Sequence, residues 1–133
     1  MSKLRVLVVD DSAYNRQSIS EMLNAHPEIE VVAKAYDGEE ALKLVSQVRP
    51  DLITLDIEMP RMDGFTFLRI LMSKMPTPVI VISSHSRKQD VFQALELGAL
   101  DFIAKPTHHI APNVASIGDE LVAKAMTVRN LQV

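Results

Sequence analysis

The chain has 133 residues, of which 47% are hydrophobic and none is cysteine. This length and hydrophobic content suit a single domain with one buried core, and the lack of cysteine excludes disulfides, thiolate metal sites and a cysteine nucleophile. Its 14 basic and 17 acidic residues give a net charge of −3, which argues against general nucleic-acid binding. No apolar run approaches the roughly 20 residues of a membrane span. The sequence therefore predicts a cytoplasmic protein that does not enter the membrane.

Short apolar runs of strand character recur along the chain, each starting roughly 22 to 26 residues after the one before. They cover residues 4–9, 30–35, 52–56, 79–82 and 101–104. The first, third and fourth runs are almost wholly apolar, which is typical of strands buried on both faces of a parallel sheet. The second run is more mixed, which indicates a strand nearer the sheet edge.

Each run is followed by a segment with helical periodicity, which begins at a residue able to cap a helix. The predicted N-caps, in chain order, are Ser12, Asp37, Asp63, Ser86 and Ser116. Asp37 and Ser86 are each followed three residues later by Glu or Gln, which predicts capping boxes, and Gly98 ends the fourth helix. A polar connector over residues 107–115 precedes the last helix. Five strand–helix units predict an α/β fold, a parallel sheet with right-handed crossovers and helices on both faces.

Polar and charged side chains stand where the buried strands end. They are Asp10 and Asp11 after the first strand, Asp56 after the third, Ser83 and Ser84 after the fourth and Lys105 after the fifth. The carboxyl ends of parallel strands lie at one edge of a sheet, so these side chains converge if the strand order reverses between the first and third strands. Three carboxylates there would repel one another without a cation, and they suit Mg²⁺, with Mn²⁺ as a second candidate.

This arrangement predicts phosphoryl transfer. The metal would neutralise phosphoryl oxygens, Asp56 would attack phosphorus, and Lys105 and Ser83 would bind the remaining oxygens. The product is an acyl phosphate, whose short lifetime suits a signalling switch better than a metabolic step. Taken singly, each residue has an ordinary interpretation, such as a turn acid for Asp56 or a strand-end serine for Ser83. Their joint order and spacing favour the functional interpretation.

The segment Leu-Asp-Ile-Glu-Met-Pro-Arg-Met-Asp-Gly around Asp56, together with Asp10-Asp11, Ser83 and Lys105-Pro106, resembles the receiver domains of response regulators in bacterial two-component signalling. The resemblance covers about residues 3–130. It implies a flavodoxin-like receiver fold, in which five helices surround a five-stranded doubly wound parallel sheet of order 2-1-3-4-5. It also implies that a histidine kinase phosphorylates Asp56.

The resemblance further implies a set of metal ligands. Asp11 and Asp56 would bind Mg²⁺ directly, as would the backbone carbonyl of Glu58, whereas Asp10 would act through water. The role of the Glu58 side chain stays open: it either tunes dephosphorylation or is an ordinary solvated loop side chain. The same two alternatives hold for His85, which follows Ser83 by two residues.

Other residues would carry the response to phosphorylation in this family. Ser83 takes the position of the hydroxyl that contacts the phosphoryl group, Phe102 takes that of an aromatic switch, and the Lys105–Pro106 bond is expected to be cis. Phosphorylation would draw Ser83 toward the phosphoryl group and move Phe102 inward. The face formed by the fourth helix, the fifth strand and the fifth helix would then be remodelled.

Residues 55–64, 79–84 and 94–106 are similar, more narrowly, to the regulatory domain of chemotaxis protein-glutamate methylesterases. In that family the receiver obstructs the active site of a methylesterase domain until phosphorylation relieves the block. The sequence ends at Val133 without a Gly-x-Ser-x-Gly motif, so residues 1–133 are expected to form a single receiver domain that lacks the methylesterase catalytic domain. The expected partners are a chemotaxis-type histidine kinase and a methylesterase effector domain or partner protein, with the chain itself a monomer or weak dimer.

Alternative functions stay open at this point. A stand-alone receiver, or one with another output, would keep the same site. A magnesium-dependent phosphatase or phosphotransferase could also work through an aspartyl phosphate, but such enzymes usually carry Asp-x-Asp after the first strand, where this chain has adjacent acids. A nucleotide-binding module is disfavoured because no glycine-rich loop follows the first strand. His108-His109 fits a hydrated loop better than a metal site.

Overall fold

The computed structural model describes residues 2–84, 86–105 and 114–132, the last range with side chains from residue 117 onward. The strands are β1 (Leu4–Val9), β2 (Ile29–Ala35), β3 (Leu52–Leu55), β4 (Val79–Ser83) and β5 (Asp101–Ala104). The helices are α1 (Ala13–Asn24), α2 (Gly38–Val48), α3 (Gly64–Lys74), α4 (Lys88–Glu96) and α5 (Val114–Leu131). Strands and helices therefore alternate along the described chain as the apolar runs predict.

The five strands form one parallel sheet of order β2-β1-β3-β4-β5. This confirms both the doubly wound order and the edge position predicted for β2. The strand order reverses between β1 and β3, where Val9 pairs with Leu55. The next residue of each strand, Asp10 and Asp56, therefore leaves the sheet at the same edge, and the Asp56 N–H donates to the Val9 carbonyl at 3.0 Å. Parallel sheets of this kind bind ligands at such a switch point.

Two hydrophobic cores lie on opposite faces of the sheet because successive strand residues point to opposite sides. Alternate residues of β1, such as Leu7 and Val9, pack with the buried faces of α2, α3 and α4. The intervening residues, such as Val6 and Val8, pack with α1 and α5. Both faces of the central strands are buried, which explains their uninterrupted apolar sequences.

Three of the predicted N-caps form the expected hydrogen bonds. Ser12 accepts from the backbone N–H of Asn15, Asp37 from that of Glu40, and Asp63 from that of Thr66. The capping box predicted at α2 forms with one difference. The carboxylate of Glu40 accepts from the N–H of Tyr36 at 2.9 Å, and not from the N–H of the N-cap Asp37. Gly98 follows α4 with a φ of 114°, as expected of a glycine that stops a helix.

The prediction that Ser86 caps α4 is wrong. The helix begins at Lys88, its N-cap is Arg87, and that residue makes no side-chain capping bond. The guanidinium of Arg87 instead pairs with Asp90 in the first turn, at 3.2 Å. A favourable carboxylate near the helix N-terminus thus takes the place of a capping hydroxyl.

The prediction that Ser116 caps the last helix is also wrong, because α5 begins at Val114. Serine is tolerated within a first helical turn, so a serine alone does not determine where a helix starts. The last two residues of the connector predicted over residues 107–115 therefore belong to α5. The rest of that connector, including His108-His109, lies outside the described residues, as do His85 and the Pro106 side of the Lys105–Pro106 bond.

Among the described helices, none combines the length and the apolar character that a membrane span requires.

Candidate functional site

The site lies at the carboxyl edge of the sheet, where β1, β3 and β5 bring Asp10, Asp56 and Lys105 together. The Lys105 Nζ lies 2.9 Å from Asp10 Oδ2 and 3.7 Å from Asp56 Oδ2. The Lys105 backbone N–H donates to the Ser83 carbonyl at 2.9 Å, which fixes the lysine beside the end of β4. Strand pairing thus positions all three charged groups, and Asp10 and Asp56 are only 1% and 8% exposed.

Asp10, Asp11 and Asp56 form an acidic cluster at this edge. One ligand atom from each lies within 4.8 Å of the others, and Asp11 is the exposed member. Two adjacent oxygens on an octahedral Mg²⁺ are roughly 3 Å apart, so carboxylates this close together could share one ion, either directly or through bound water. The donor set contains only oxygen, which is the chemistry that Mg²⁺ prefers. The residues present therefore fit a divalent cation.

The electrostatics of the cluster also call for a cation. The pKa of Asp56 is raised to about 7, mainly by burial and in addition by the charges of Asp10 and Asp11, against the opposing effect of Lys105. Burial likewise raises the pKa of Asp10, although Lys105 pulls it down. One lysine thus does not neutralise the carboxylates, and a bound divalent cation would favour their charged forms.

Local contacts hold Asp10 in place from the β1–α1 turn. Its Oδ1 accepts from the Ser12 N–H at 2.9 Å, and its backbone carbonyl accepts from the Arg16 guanidinium at 2.8 Å. Its other carboxylate oxygen accepts a hydrogen bond from the Lys105 ammonium. An Asp two residues before the N-cap of a helix is the sequence signal for such a turn.

A cavity of about 210 Å³ opens at the cluster. It is lined by Asp11, Ser12, Asn15, Asp56, Glu58, Ser84 and Lys105. Asn15 was missed from the sequence, whereas Ser84 was placed at a strand end without a role of its own. Asn15 projects from the first turn of α1, and its polarity on the buried face of a helix is the signal that could have singled it out.

The remaining predicted residues occupy different surroundings. Glu58 lines the cavity, and its backbone N–H bonds to the carboxylate of Asp56. Ser83 ends β4 fully buried, whereas Ser84, the next residue, lines the cavity. Phe102 lies on β5, partly buried against the core formed with α2, α3 and α4. Asp10, Asp11, Asp56, Glu58 and Lys105 are thus brought together.

Comparison with known protein families identifies the chain's relatives. The family model for the response regulator receiver domain matches residues 6–111. The chain is 53% identical over 131 residues to protein-glutamate methylesterase/protein-glutamine glutaminase 3 of Geobacter sulfurreducens, covering 98% of this chain and 35% of that protein. It is also 53% identical over 129 residues to protein-glutamate methylesterase/protein-glutamine glutaminase 1 of Myxococcus xanthus, covering 97% of this chain and 37% of that protein. The chain spans about a third of the length of these curated relatives.

Solved structures show the same fold. The response regulator domain of Thermotoga maritima CheB superposes with a TM-score of 0.90 at 40% identity, covering 96% of this chain and 97% of that chain. A chain of the CheX–CheY–BeF3–Mg²⁺ complex of Borrelia burgdorferi superposes with a TM-score of 0.78 at 31% identity, covering 92% of this chain and 89% of that chain.

Proposed function

Because the chain belongs to the family of response regulator receiver domains, we propose that it is a phosphoacceptor switch in which Asp56 takes a phosphoryl group from a histidine kinase. The observation that carries this proposal is the position of Asp56 at the cavity, 3.7 Å from the Lys105 ammonium and clustered with the carboxylates of Asp10 and Asp11. A carboxylate so placed can act as a nucleophile once a phosphoryl donor enters the cavity.

In the proposed reaction, a carboxylate oxygen of Asp56 forms a bond to phosphorus while the bond from phosphorus to the kinase histidine breaks. The electron pair of the broken bond stays on the imidazole nitrogen. Lys105 would exchange its contact with Asp10 for one with a phosphoryl oxygen, because its ammonium lies only 3.7 Å from the Asp56 carboxylate that would carry the phosphoryl group. Asp11, Asp56 and the Glu58 carbonyl would hold Mg²⁺, or Mn²⁺ in its place, and Asp10 would act through water. Bound there, the ion supplies charge neutralisation at the phosphoryl oxygens.

We assign Ser83 as the hydroxyl that contacts the phosphoryl group and Phe102 as the switch residue. Ser83 lies on β4, the strand beside the one that ends at Asp56, and Phe102 lies on β5, which leads into Lys105. Ser83 is the last residue of β4, and Ser84, directly after it, lines the cavity. Glu58 and His85 are proposed to tune the loss of the phosphoryl group. Glu58 qualifies because it lines the same cavity as Asp56.

The proposed output surface is the face formed by α4, β5 and α5. Phe92, Leu95 and Leu100 expose 64%, 44% and 55% of their surface there, and exposed apolar side chains grouped together are typical of protein–protein contacts. At its other side, Lys124 of α5 pairs with Asp101 of β5 at 2.5 Å. This surface is proposed to contact a methylesterase effector domain or a partner protein of a chemotaxis system, as the similarity to the methylesterases suggests.

Residues 1–133 are proposed to act as one receiver domain, with methylester hydrolysis left to a separate domain. Its own chemistry would then be limited to accepting and losing one phosphoryl group. A stand-alone receiver with another output uses the same site and differs only in what meets the output surface.

The decisive measurement is intact mass after incubation with acetyl phosphate and Mg²⁺. We expect a single phosphoryl adduct on the wild-type chain, none after chelation of the metal, and none on Asp56→Asn. Asp63→Asn is the matched control, because it alters another aspartate of the same loop while keeping a helix-capping oxygen, and it should form the adduct normally. An adduct of equal yield on Asp56→Asn contradicts the proposal. Multiple turnover of an aryl phosphate would indicate a phosphatase instead.

A further inference from the structure

The loop that joins β3 to α3 shapes the site, because it begins at Asp56 and includes Glu58. The Glu58 N–H bonds to the Asp56 carboxylate. The loop closes where the Gly64 N–H donates to the Ile57 carbonyl at 2.7 Å. The two ends approach so closely that a Cβ on Gly64 would lie 2.6 Å from the Asp56 carbonyl oxygen. The conformation of this loop therefore determines where the ligand atoms of Asp56 and Glu58 lie.

Arg61, in the middle of the loop, has a left-handed backbone conformation with a φ of 63°. Residues with a side chain adopt this conformation at a cost and keep it only where their surroundings hold them. The loop therefore depends on contacts that Arg61 makes outside it.

Those contacts are to the start of α2. Nε and Nη2 of Arg61 lie 2.8 and 2.6 Å from Asp37 Oδ2, and the guanidinium lies 5.8 Å from the centre of the Tyr36 ring. Asp37 is only 2% exposed, and its other oxygen caps α2 by accepting from the Glu40 N–H. One buried carboxylate thus fixes the helix with one oxygen and the loop with the other.

The next loop residue adds a packing contact to the same place. The side chain of Met62 lies directly against Gly38, the first residue of α2. Two consecutive loop residues therefore contact the start of α2, a helix that packs against β2 of the sheet.

We propose that Arg61 is a positioning residue, whose ion pair with Asp37 holds the β3–α3 loop in the shape that presents Asp56 and Glu58 to a divalent cation. Arg61 touches neither the cation nor the phosphoryl group and acts through the loop backbone. The inference rests on the proposed function, since it takes the acidic cluster to be a Mg²⁺ site.

The test compares Arg61→Asn with Arg49→Asn. Asparagine tolerates a positive φ, so Arg61→Asn removes the ion pair and spares the backbone conformation. Arg49 is a matched control, because it also has a positive φ, of 47°, and it follows α2 at the opposite edge of the sheet. Two quantities are measured, the dissociation constant for Mg²⁺ by titration calorimetry and the exchange rate of the Gly64 amide by NMR.

We expect Arg61→Asn to raise the Mg²⁺ dissociation constant about tenfold, as for residues that orient metal ligands, and to speed exchange of the Gly64 amide. Arg49→Asn should change neither quantity. Asp37→Asn keeps the helix cap and should weaken Mg²⁺ binding to a similar extent, with no further loss in the double variant. Arg61→Lys should restore part of the affinity, because lysine keeps the charge without the planar fork.

The inference is overturned if Arg61→Asn binds Mg²⁺ as the wild type does, or if Arg49→Asn weakens binding equally. Independent, additive losses for Arg61→Asn and Asp37→Asn would overturn it too. If the wild-type chain itself binds no Mg²⁺, the proposed function fails along with the inference. If the wild type binds Mg²⁺ and is phosphorylated, and Arg61→Asn binds Mg²⁺ equally well, the inference about Arg61 fails and the proposed function stands.

Discussion

At the scale of single residues, the acidic cluster places protonation and metal binding in competition. The pKa of Asp56 is raised to about 7 by its burial, with Asp10 and Asp11 adding to the effect. In an unfolded chain the same carboxyl titrates near its ordinary value of 3.8. The folded chain therefore binds more protons than the unfolded chain between these two pH values.

We expect the metal-free protein to lose stability as the pH rises from about 4 to 7, because the folded state then gives up the proton that it binds more tightly. Asp56→Asn removes this titration and should be more stable than the wild type at pH 8, by on the order of 2 kcal/mol. Thermal unfolding followed by circular dichroism in a chelator buffer measures both effects.

Addition of Mg²⁺ serves as the control for that experiment. It should stabilise the wild type more at pH 8 than at pH 5, because protons and the cation compete for the same oxygens. A metal-free wild type that gains stability between pH 5 and 7 would contradict the raised pKa of Asp56.

At the scale of elements, the helices that flank the site begin at capping residues readable from the sequence. Asp63 begins α3 directly after the β3–α3 loop and accepts from the Thr66 N–H at 2.9 Å. The cap satisfies a backbone donor that would otherwise lack a partner within the helix. It therefore contributes to the stability of α3 separately from the chemistry of Asp56.

We expect Asp63→Ala to lower the free energy of unfolding by about 1 kcal/mol, because it removes the capping oxygen. Asp63→Asn keeps an oxygen at the same position and should lower the free energy of unfolding by only a few tenths of that amount. Urea titration of the two variants and the wild type gives the comparison. Equal losses for alanine and asparagine would show that the charge of Asp63, rather than its capping bond, is what matters.

At the scale of the whole molecule, one sheet joins two cores. Leu23 of α1 is fully buried on one face, and Leu71 of α3 is fully buried on the other. Because the same strands supply residues to both cores, neither layer has a sheet of its own to fold against. The chain should therefore unfold as one unit.

We expect Leu23→Ala and Leu71→Ala each to destabilise the protein by about 2–5 kcal/mol, since each leaves a cavity in a packed core. The double variant should show the sum, because the sheet separates the two positions. A single transition by both calorimetry and circular dichroism is expected for every variant. Two separate transitions would indicate that the layers unfold independently.

Much of this protein could be predicted from the sequence because the signals are local. The apolar runs, the caps Ser12, Asp37 and Asp63, and the placing of Asp56 at a strand end depend on neighbouring residues and on burial alone. The predicted cap Ser86 failed because α4 begins only at Lys88, and its N-cap Arg87 pairs with Asp90 through its side chain instead of forming a capping bond.

The sequence by itself determined the alternation of strands and helices, and with it the acids that follow the strands. Only the tertiary structure decided which distant groups meet. The ammonium of Lys105 reaches Asp10 across 95 residues of chain, and Arg61 reaches Asp37 across 24. Such contacts carry no local signature, because they arise from the order in which strands pair and from the shape of the loops between them. The same long-range packing raises the pKa of Asp56, since burial is a property of the folded molecule and not of the peptide.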